Sequence, residues 1–256
     1  MAVENPVAAT DGDVYIPMSE RTGEPAVVYF TRELSAAGMM KAYEKVNEGI
    51  TGKVAVKLHT GEPHGPNFTP SAWIKEFVEK EVPGATIVET NTAYPGKRYT
   101  TEDHLETLHI NGWDEWTKVD IMDDGDKFAY FPVEGGKWFD KMSVGANEAN
   151  YDSLVVLTHF KGHGMGGFGG SDKNLGIGCA SGHEGKFWIH SSKFVSEGDT
   201  SFDILQEELM ERITESTKAT IDHFKGHICY VNVMRNMSVD CDCAGTMAAA
   251  VTTPNV

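Results

Sequence analysis

The sequence contains little cysteine and no long hydrophobic run, and these absences exclude several classes of protein. Four cysteines among 256 residues are too few for a disulfide scaffold. No apolar run approaches the roughly 20 residues that a helix needs to span a bilayer, so we expect no membrane association. The N-terminal residues MAVENPV form neither a basic segment nor a continuous apolar segment. We therefore expect no secretory signal and a cytoplasmic location.

Basic side chains are also scarce. The chain has 22 Lys and Arg against 38 Asp and Glu, a formal net charge of −16. This balance disfavours an extended contact with a phosphate backbone, so we expect no nucleic-acid partner. A local basic pocket inside an acidic protein is still compatible with the sequence. Its candidate side chains are Lys57, Lys97, Arg98, Lys161 and Lys173.

A nucleotide-binding fingerprint is absent as well. The Gly-Gly-Phe-Gly-Gly segment at 166–170 is neither a Gly-x-Gly-x-x-Gly after the first strand nor a phosphate loop ending in Lys-Ser/Thr. The first predicted strand is followed by Thr-Arg-Glu-Leu at 31–34, without glycine. The sequence therefore argues against a standard dinucleotide site, although backbone N–H groups of the glycine-rich loop could hold an anion.

Short apolar runs alternate with helical patterns along the chain. We predict strands at 26–30, 53–58, 85–89, 152–158 and 227–234, a hairpin at 127–133, and helices at 35–48, 70–82, 101–111 and 202–224. This succession predicts an α/β fold with a mostly parallel sheet flanked by helices. We expect an extended arm at 1–24 and one α/β domain at 25–256, in which 25–125 and 126–256 could form two lobes around a cleft.

The segment from 159 to 179 concentrates reactive side chains after a buried strand. His159 and His163 have the i, i+4 spacing of helical metal ligands, but Gly162 and Gly164 disfavour a helix. The alternative is a glycine turn with solvated histidines. Lys161 lies between the two histidines and is a candidate catalytic residue.

Cys241 and Cys243 stand in the sequence Asp-Cys-Asp-Cys at 240–243. In an extended backbone both thiols would share one face, and with histidines from elsewhere they could bind a divalent transition metal. Two buried thiols in a turn are an equally weighted alternative.

Two polar loops follow predicted strands. His59 and Glu62 in the first could move protons, and in the second Asn91 could bind substrate while Arg98 grips a carboxylate through two hydrogen bonds. Both loops could equally be exposed turns.

The combined motifs resemble the domain-of-unknown-function family 362, which is common in anaerobic bacteria and archaea. The similarity covers about residues 26–250 and rests on KLH at 57–59, ETNTAYPGKR at 89–98, HFKGHGMGGFGG at 159–170, KNLGIGC at 173–179 and DCDCAG at 240–245. Many members carry an inserted ferredoxin-like segment and are labelled iron–sulfur proteins. This chain has no [4Fe-4S] ferredoxin motif, so that cluster is not carried over. The first half is also similar to the nickel-pincer lactate racemases, at the level of fold alone.

The leading hypothesis is a metal-dependent enzyme, an oxidoreductase or an isomerase, that acts on a small anionic metabolite. Candidate catalytic residues are His59, Glu62 and Lys161, candidate substrate-binding residues are Asn91, Arg98, Lys173 and Asn174, and candidate metal ligands are His159, His163, Cys241 and Cys243. The alternative is a non-catalytic protein that carries metal or electrons to a redox partner protein. A metal-free enzyme with Cys179 or Cys241 as nucleophile is a third reading.

Overall fold

Five parallel strands form the central sheet of the protein. A computed structural model describes residues 23–65, 67–191 and 204–238. The strands are β1 (Val54–Lys57), β2 (Thr86–Glu89), β3 (Asp120–Ile121), β6 (Ser153–His159) and β9 (Ile228–Val233), in the order β3-β2-β1-β6-β9. All four neighbouring pairs are parallel. The predicted α/β class with a mostly parallel sheet is confirmed.

Helices cover both faces of this sheet, which explains why its strands are almost continuously apolar. On one face, α1 (Ala36–Tyr43), α2 (Ser71–Glu81) and α3 (Thr101–Ile110) pack against side chains such as Val56 and Val155. On the other face, α4 (Ser171–Gly176) and α6 (Gln206–Phe224) pack against Val88 and Val156.

A smaller layer lies beside α6. Strands β4 (Phe128–Pro132) and β5 (Lys141–Gly145) pair antiparallel and are followed by a 3-10 turn at Ala146–Asn150. Their apolar side chains pack with α6 and with α5 (Gly185–His190). The predicted hairpin at 127–133 is therefore only the first strand of a longer hairpin. The strand-like run Lys-Phe-Trp-Ile at 186–189 is helical.

The glycine-rich segment forms a hairpin rather than an open loop. Strands β7 (Lys161–His163) and β8 (Gly167–Gly169) pair antiparallel, with Gly162 opposite Phe168. Gly167 at the turn has φ +71°, a conformation that favours glycine.

The chain divides into two units, Met1–Phe30 and Thr31–Val256. In the first unit, the described residues 23–30 form neither helix nor strand, and Val27 and Val28 are exposed. The predicted strand at 26–30 is wrong. Among residues 23–30 and the other described ranges this run has no hydrogen-bonded partner strand, and an apolar β-branched run alone does not form a sheet. Within the described ranges, no helix has the length and apolar character required to cross a bilayer.

Candidate functional site

The strand order reverses between β1 and β6, and a cavity lies at the carboxyl ends of these strands. From β1 the sheet continues through β2 and β3 on one side and through β6 and β9 on the other. In open α/β sheets, ligands bind at this kind of switch point. The cavity has a volume of about 250 Å³ and is lined by residues that follow β1, β2 and β6, by the β7–β8 hairpin, and by α4, α5 and α6.

Lys57 and Glu89 form a buried ion pair at the edge of this cavity. Lys57 Nζ lies 2.8 Å from Glu89 Oε2, and both side chains are less than 5% exposed. Lys57 Nζ also donates to Leu58 O and to Asn174 Oδ1 at 2.7 and 3.1 Å. Thr60 donates to the other carboxylate oxygen from its backbone N–H and its hydroxyl. Burial alone would raise the pKa of Glu89, but the positive charge of Lys57 and the contact with His59 hold it well below its usual range.

His59 lies beside this pair and lines the cavity. Its Nδ1 is 3.8 Å from Glu89 Oε1, longer than a hydrogen bond. Burial lowers the pKa of His59 despite the nearby carboxylate, so the imidazole is neutral at pH 7. In the part of the chain that the structure describes, the buried Nε2 has no hydrogen-bond partner. The predicted proton-transfer residue is therefore at the cavity and in its neutral form.

Glu62 and Arg98 bind each other. Arg98 donates to Glu62 Oε1 from Nε at 3.0 Å and from Nη2 at 2.6 Å, and Tyr94 OH donates to the same oxygen at 3.0 Å. Burial would raise the pKa of Glu62, but these bonds and the charge of Arg98 lower it. Arg98 lines the cavity, whereas Glu62 is not among the described residues of its lining. Glu62 is thus an ionised partner of Arg98 in this arrangement.

Asn91 faces a different environment from the one that its predicted substrate-binding role requires. Its side-chain nitrogen donates to Thr101 Oγ1 at 3.0 Å, and its Oδ1 lies 3.2 Å from His104 Nδ1. The residue is absent from the described cavity lining. The Asn91 side chain therefore connects the loop after β2 to α3.

Helix α4 contributes Lys173 and Asn174, two predicted substrate-binding residues, to the lining of the cavity. Asn174 accepts from Lys57 and donates from Nδ2 to Thr158 Oγ1 at 2.9 Å. Asn174 thus links β1, β6 and α4. A side chain at Gly178 would lie 2.5 Å from Lys57 Cε, so the lysine is accommodated only because this position is glycine.

The β7–β8 hairpin brings Lys161 and His163 to the cavity, and His159 reaches it from the end of β6. His159 Nε2 hydrogen-bonds Arg235 O, and because a carbonyl can only accept, Nε2 carries the proton. His163 Nδ1 accepts from Gly166 N at 2.9 Å. In a neutral imidazole the other nitrogen is then protonated.

The tautomers of His159 and His163 determine which ring nitrogen of each could bind the predicted metal. The Nε2–H of His159 is oriented by a backbone carbonyl, which is the tautomer of histidines that bind a metal through Nδ1. His163 does not fit in this arrangement, because its lone pair already accepts a backbone N–H. No cluster of three or more potential ligands occurs in the described ranges. Cys241 and Cys243 lie outside the described residues.

Sequence reasoning named Lys57 for a basic pocket but not as a buried ion-pair residue, and it missed Glu89, Lys186 and His190. Burial lowers the pKa of Lys186 to about 7 and that of His190 to about 4. The sequence pattern does indicate Lys57 and Glu89, because both are charged residues at the ends of apolar strands. It does not indicate Lys186 or His190, since their position at the cavity depends on how α5 packs.

Cys179 is a candidate nucleophile in the hypothesis of a metal-free enzyme, and it lies within the described residues. It is 1% exposed and does not line the cavity. Burial and the nearby Glu148 raise the pKa of its thiol well above the usual value. A reactive thiolate at Cys179 is therefore disfavoured.

The cavity lining is strongly biased towards positive charge. Among the described residues, it contains five lysine or arginine side chains, four histidines and one carboxylate, which already pairs with Lys57. These are Lys57, Arg98, Lys161, Lys173 and Lys186; His59, His159, His163 and His190; and Glu89. This is the opposite of the chain as a whole, whose net charge is −16.

A family model described as "Domain of unknown function (DUF362)" matches residues 54–256. The chain belongs to the DUF362 family. The DUF362 segment contains β1, the glycine-rich hairpin and every candidate site residue named above. The match confirms the family resemblance that the sequence motifs indicate.

A solved structure is similar to this DUF362 protein in fold. It is the lactate racemase apoprotein from Thermoanaerobacterium thermosaccharolyticum, with a TM-score of 0.43 and 16% sequence identity over 78% of this chain and 49% of that chain. The chain thus spans about half the length of that protein. No curated protein matches the sequence.

Proposed function

We propose that this protein is an enzyme that acts on a small anionic metabolite in the cavity at the carboxyl ends of β1, β2 and β6. The proposal is based on the charge of the side chains that line the cavity. Among the described residues that line the cavity, five side chains are cationic and one is a carboxylate. A cleft lined mostly by one sign of charge attracts small molecules of the opposite sign.

The size of the cavity supports a small metabolite. A volume of about 250 Å³ corresponds to about eight water molecules at their share of liquid volume. A molecule of a few carbon atoms with one or two anionic groups matches this space. A concave site of this volume favours an enzyme over an accessory protein that presents metal or electrons to a partner.

Neutral histidines could transfer protons to and from the anion. His59 is the candidate base, because it lines the cavity and its Nε2 has no hydrogen-bond partner in the described residues. With the Nδ1 proton directed towards Glu89, Nε2 would carry the lone pair that accepts a substrate proton. Lys161 and Lys173 would bind the anionic group, as the sequence motifs suggest.

That the protein also binds a transition metal is a separate proposal. Of the predicted ligands, His159 fits the role, His163 would have to release its bond to Gly166, and Cys241 and Cys243 are not described. Metal analysis of protein purified without oxygen tests this part: stoichiometric metal in wild type and its loss in Cys241→Ser/Cys243→Ser would support it, and no metal in wild type would refute it.

Thermal denaturation in oxalate, malonate or phosphate tests anion binding. A ligand that binds only the folded state stabilises it in proportion to RT ln(1 + [L]/Kd). We expect at least one of these anions to raise Tm relative to chloride at equal ionic strength. The increase should be lost in Lys161→Gln/Lys173→Gln and retained in Lys75→Gln/Lys80→Gln, which changes two exposed lysines of α2.

The control pair removes the same formal charge from a remote surface. An equal loss of the Tm increase in both double variants would show that the anion acts on overall charge. No Tm increase with any of the three anions would count against the proposed function.

A further inference from the structure

Lys186 differs from the other buried lysine of the cavity in its hydrogen-bond partners. It lies in the first turn of α5, is 5% exposed and lines the cavity. Its Nζ donates to Thr90 Oγ1 at 2.6 Å, to Asn91 O at 2.5 Å and to Ala180 O at 2.9 Å. All three acceptors are neutral. In the described residues Lys186 has no carboxylate partner, whereas Lys57 has Glu89 at 2.8 Å.

Charged groups around Lys186 largely oppose one another. Asp123 and Glu89 favour its protonated form, while Lys57 and Arg98 disfavour it. Asp123 is committed elsewhere, because its carboxylate accepts the backbone N–H groups of Asn91 and Gly182 at 3.0 and 2.7 Å. Burial is the largest effect, and it lowers the pKa of Lys186 to about 7. A large fraction of the side chain is therefore a free amine at neutral pH.

Thr90 provides a partner that suits both protonation states of the amine. The carbonyl oxygens of Asn91 and Ala180 can only accept a hydrogen bond. The Thr90 hydroxyl accepts from the ammonium group and donates towards the carbonyl oxygens of Gly178 and Ala180, at 3.1 and 3.0 Å. After rotation it could instead donate to the lone pair of the free amine. Thr90 also lines the cavity, so its hydroxyl could carry a proton between the amine and a bound molecule.

We propose that Lys186 forms an imine with a small carbonyl compound that carries a carboxylate or phosphate group. The amine attacks the carbonyl carbon to give a carbinolamine, which loses one water molecule to give the imine. A buried lysine near other cations is a known arrangement for this chemistry. The inference rests on the proposed function, because the cationic lining would hold the anionic group while Lys186 reaches the carbonyl.

Reductive trapping tests this proposal directly. Wild-type protein is incubated with pyruvate or with dihydroxyacetone phosphate, and borohydride is then added to deliver hydride to the imine carbon. The resulting secondary amine is stable to proteolysis and is located by peptide mass spectrometry. We expect one adduct per chain, on Lys186, with a trapping rate that rises with pH through a midpoint near 7. The two probes distinguish a carboxylate from a phosphate substrate.

Exposed lysines serve as an internal control in the same sample. Lys41 and Lys75 have side chains that are 63% and 46% exposed, and we expect at least tenfold less label on them than on Lys186. Lys186→Arg should abolish the cavity adduct while retaining the positive charge. If this variant does not fold, the peptide map of wild type still decides the question.

Labelling of Lys161, Lys173 or the exposed lysines in preference to Lys186 would overturn the proposal. So would the absence of any adduct under conditions in which oxalate, malonate or phosphate raises Tm. In that last case anion binding would stand and only the imine would be refuted. Absence of both the adduct and the Tm increase would refute the proposed function as well.

Discussion

Buried ionisable side chains are concentrated around the cavity, and each is stabilised differently. Glu89 is kept ionised by Lys57 and by two donors from Thr60. Lys186 donates its hydrogen bonds to neutral oxygens, with no carboxylate among its described acceptors. Removing one member of a buried ion pair leaves an uncompensated charge that costs about 3–5 kcal/mol. Buried ionisable groups of this kind are concentrated at functional sites.

Glu148 is a buried acid outside the cavity lining. Burial raises its pKa from 4.5 to about 8, although Thr220 Oγ1 donates to its Oε1 at 3.0 Å. The unfolded chain ionises this group near pH 4.5, whereas the folded chain keeps it protonated to about pH 8. Its contribution to stability is therefore fully present below pH 4.5 and is lost as the pH rises towards 8.

We expect Glu148→Gln to remove this contribution to the pH dependence of stability. The free energy of unfolding of wild type should fall relative to that of the variant, by on the order of a few kcal/mol, between pH 4.5 and 8. Urea denaturation across this range measures the difference. Glu79→Gln on the exposed surface of α2 is the matched control. Parallel pH profiles for wild type and Glu148→Gln would contradict the burial argument.

At the scale of elements, the contact between α4 and α6 positions part of the site. A Cβ at Gly176 would lie 2.4 Å from Ile213 O and 2.7 Å from Thr217 Oγ1. The helices can approach this closely only because residue 176 has no side chain. Since α4 also carries Lys173 and Asn174, this approach helps to place both residues at the cavity.

We expect Gly176→Ala to destabilise the protein by about 1–3 kcal/mol and to weaken anion binding by shifting α4. Chemical denaturation and the Tm increase in oxalate measure the two effects. Gly96→Ala is the matched control, because a Cβ there has no neighbour closer than 3.9 Å. Equal stability of the two variants would show that α4 can adjust without cost.

The central sheet could be predicted from the sequence because each strand is short, apolar and separated from the next by a helical pattern. This applies to β1, β2, β6 and β9, and it placed His59, Lys173 and the glycine-rich hairpin near one edge. The partner of β4 was not predictable from local pattern, since β5 begins only at Lys141 after an irregular connection. The helix α5 was also missed, because Lys-Phe-Trp-Ile has strand-like composition and its helical state depends on packing against α6.

The sequence predicts which loops line the cavity, but it does not predict which side chains bind each other there. His59, Arg98, Lys161 and Lys173 line the cavity as the motifs suggest. The sequence does not reveal that Arg98 binds Glu62, 36 residues away, or that Asn91 turns towards α3. Such pairings depend on the register between loops, which local sequence does not encode.

At the scale of the whole molecule, charge is divided between an acidic chain and a basic cavity. A net charge of −16 repels small anions at long range, whereas the lining attracts them at short range. Salt screens exposed charges more than buried ones. The selectivity of the protein for an anion should therefore arise inside the cavity rather than by long-range steering.

The central claim is that this cavity binds a small anion, and a crystal structure of the protein grown with saturating oxalate tests it most directly. We expect one oxalate between the β7–β8 hairpin and α4, with its carboxylates within hydrogen-bond distance of Lys161 and Lys173. Oxalate bound elsewhere on the protein, with none in the cavity, would contradict the claim.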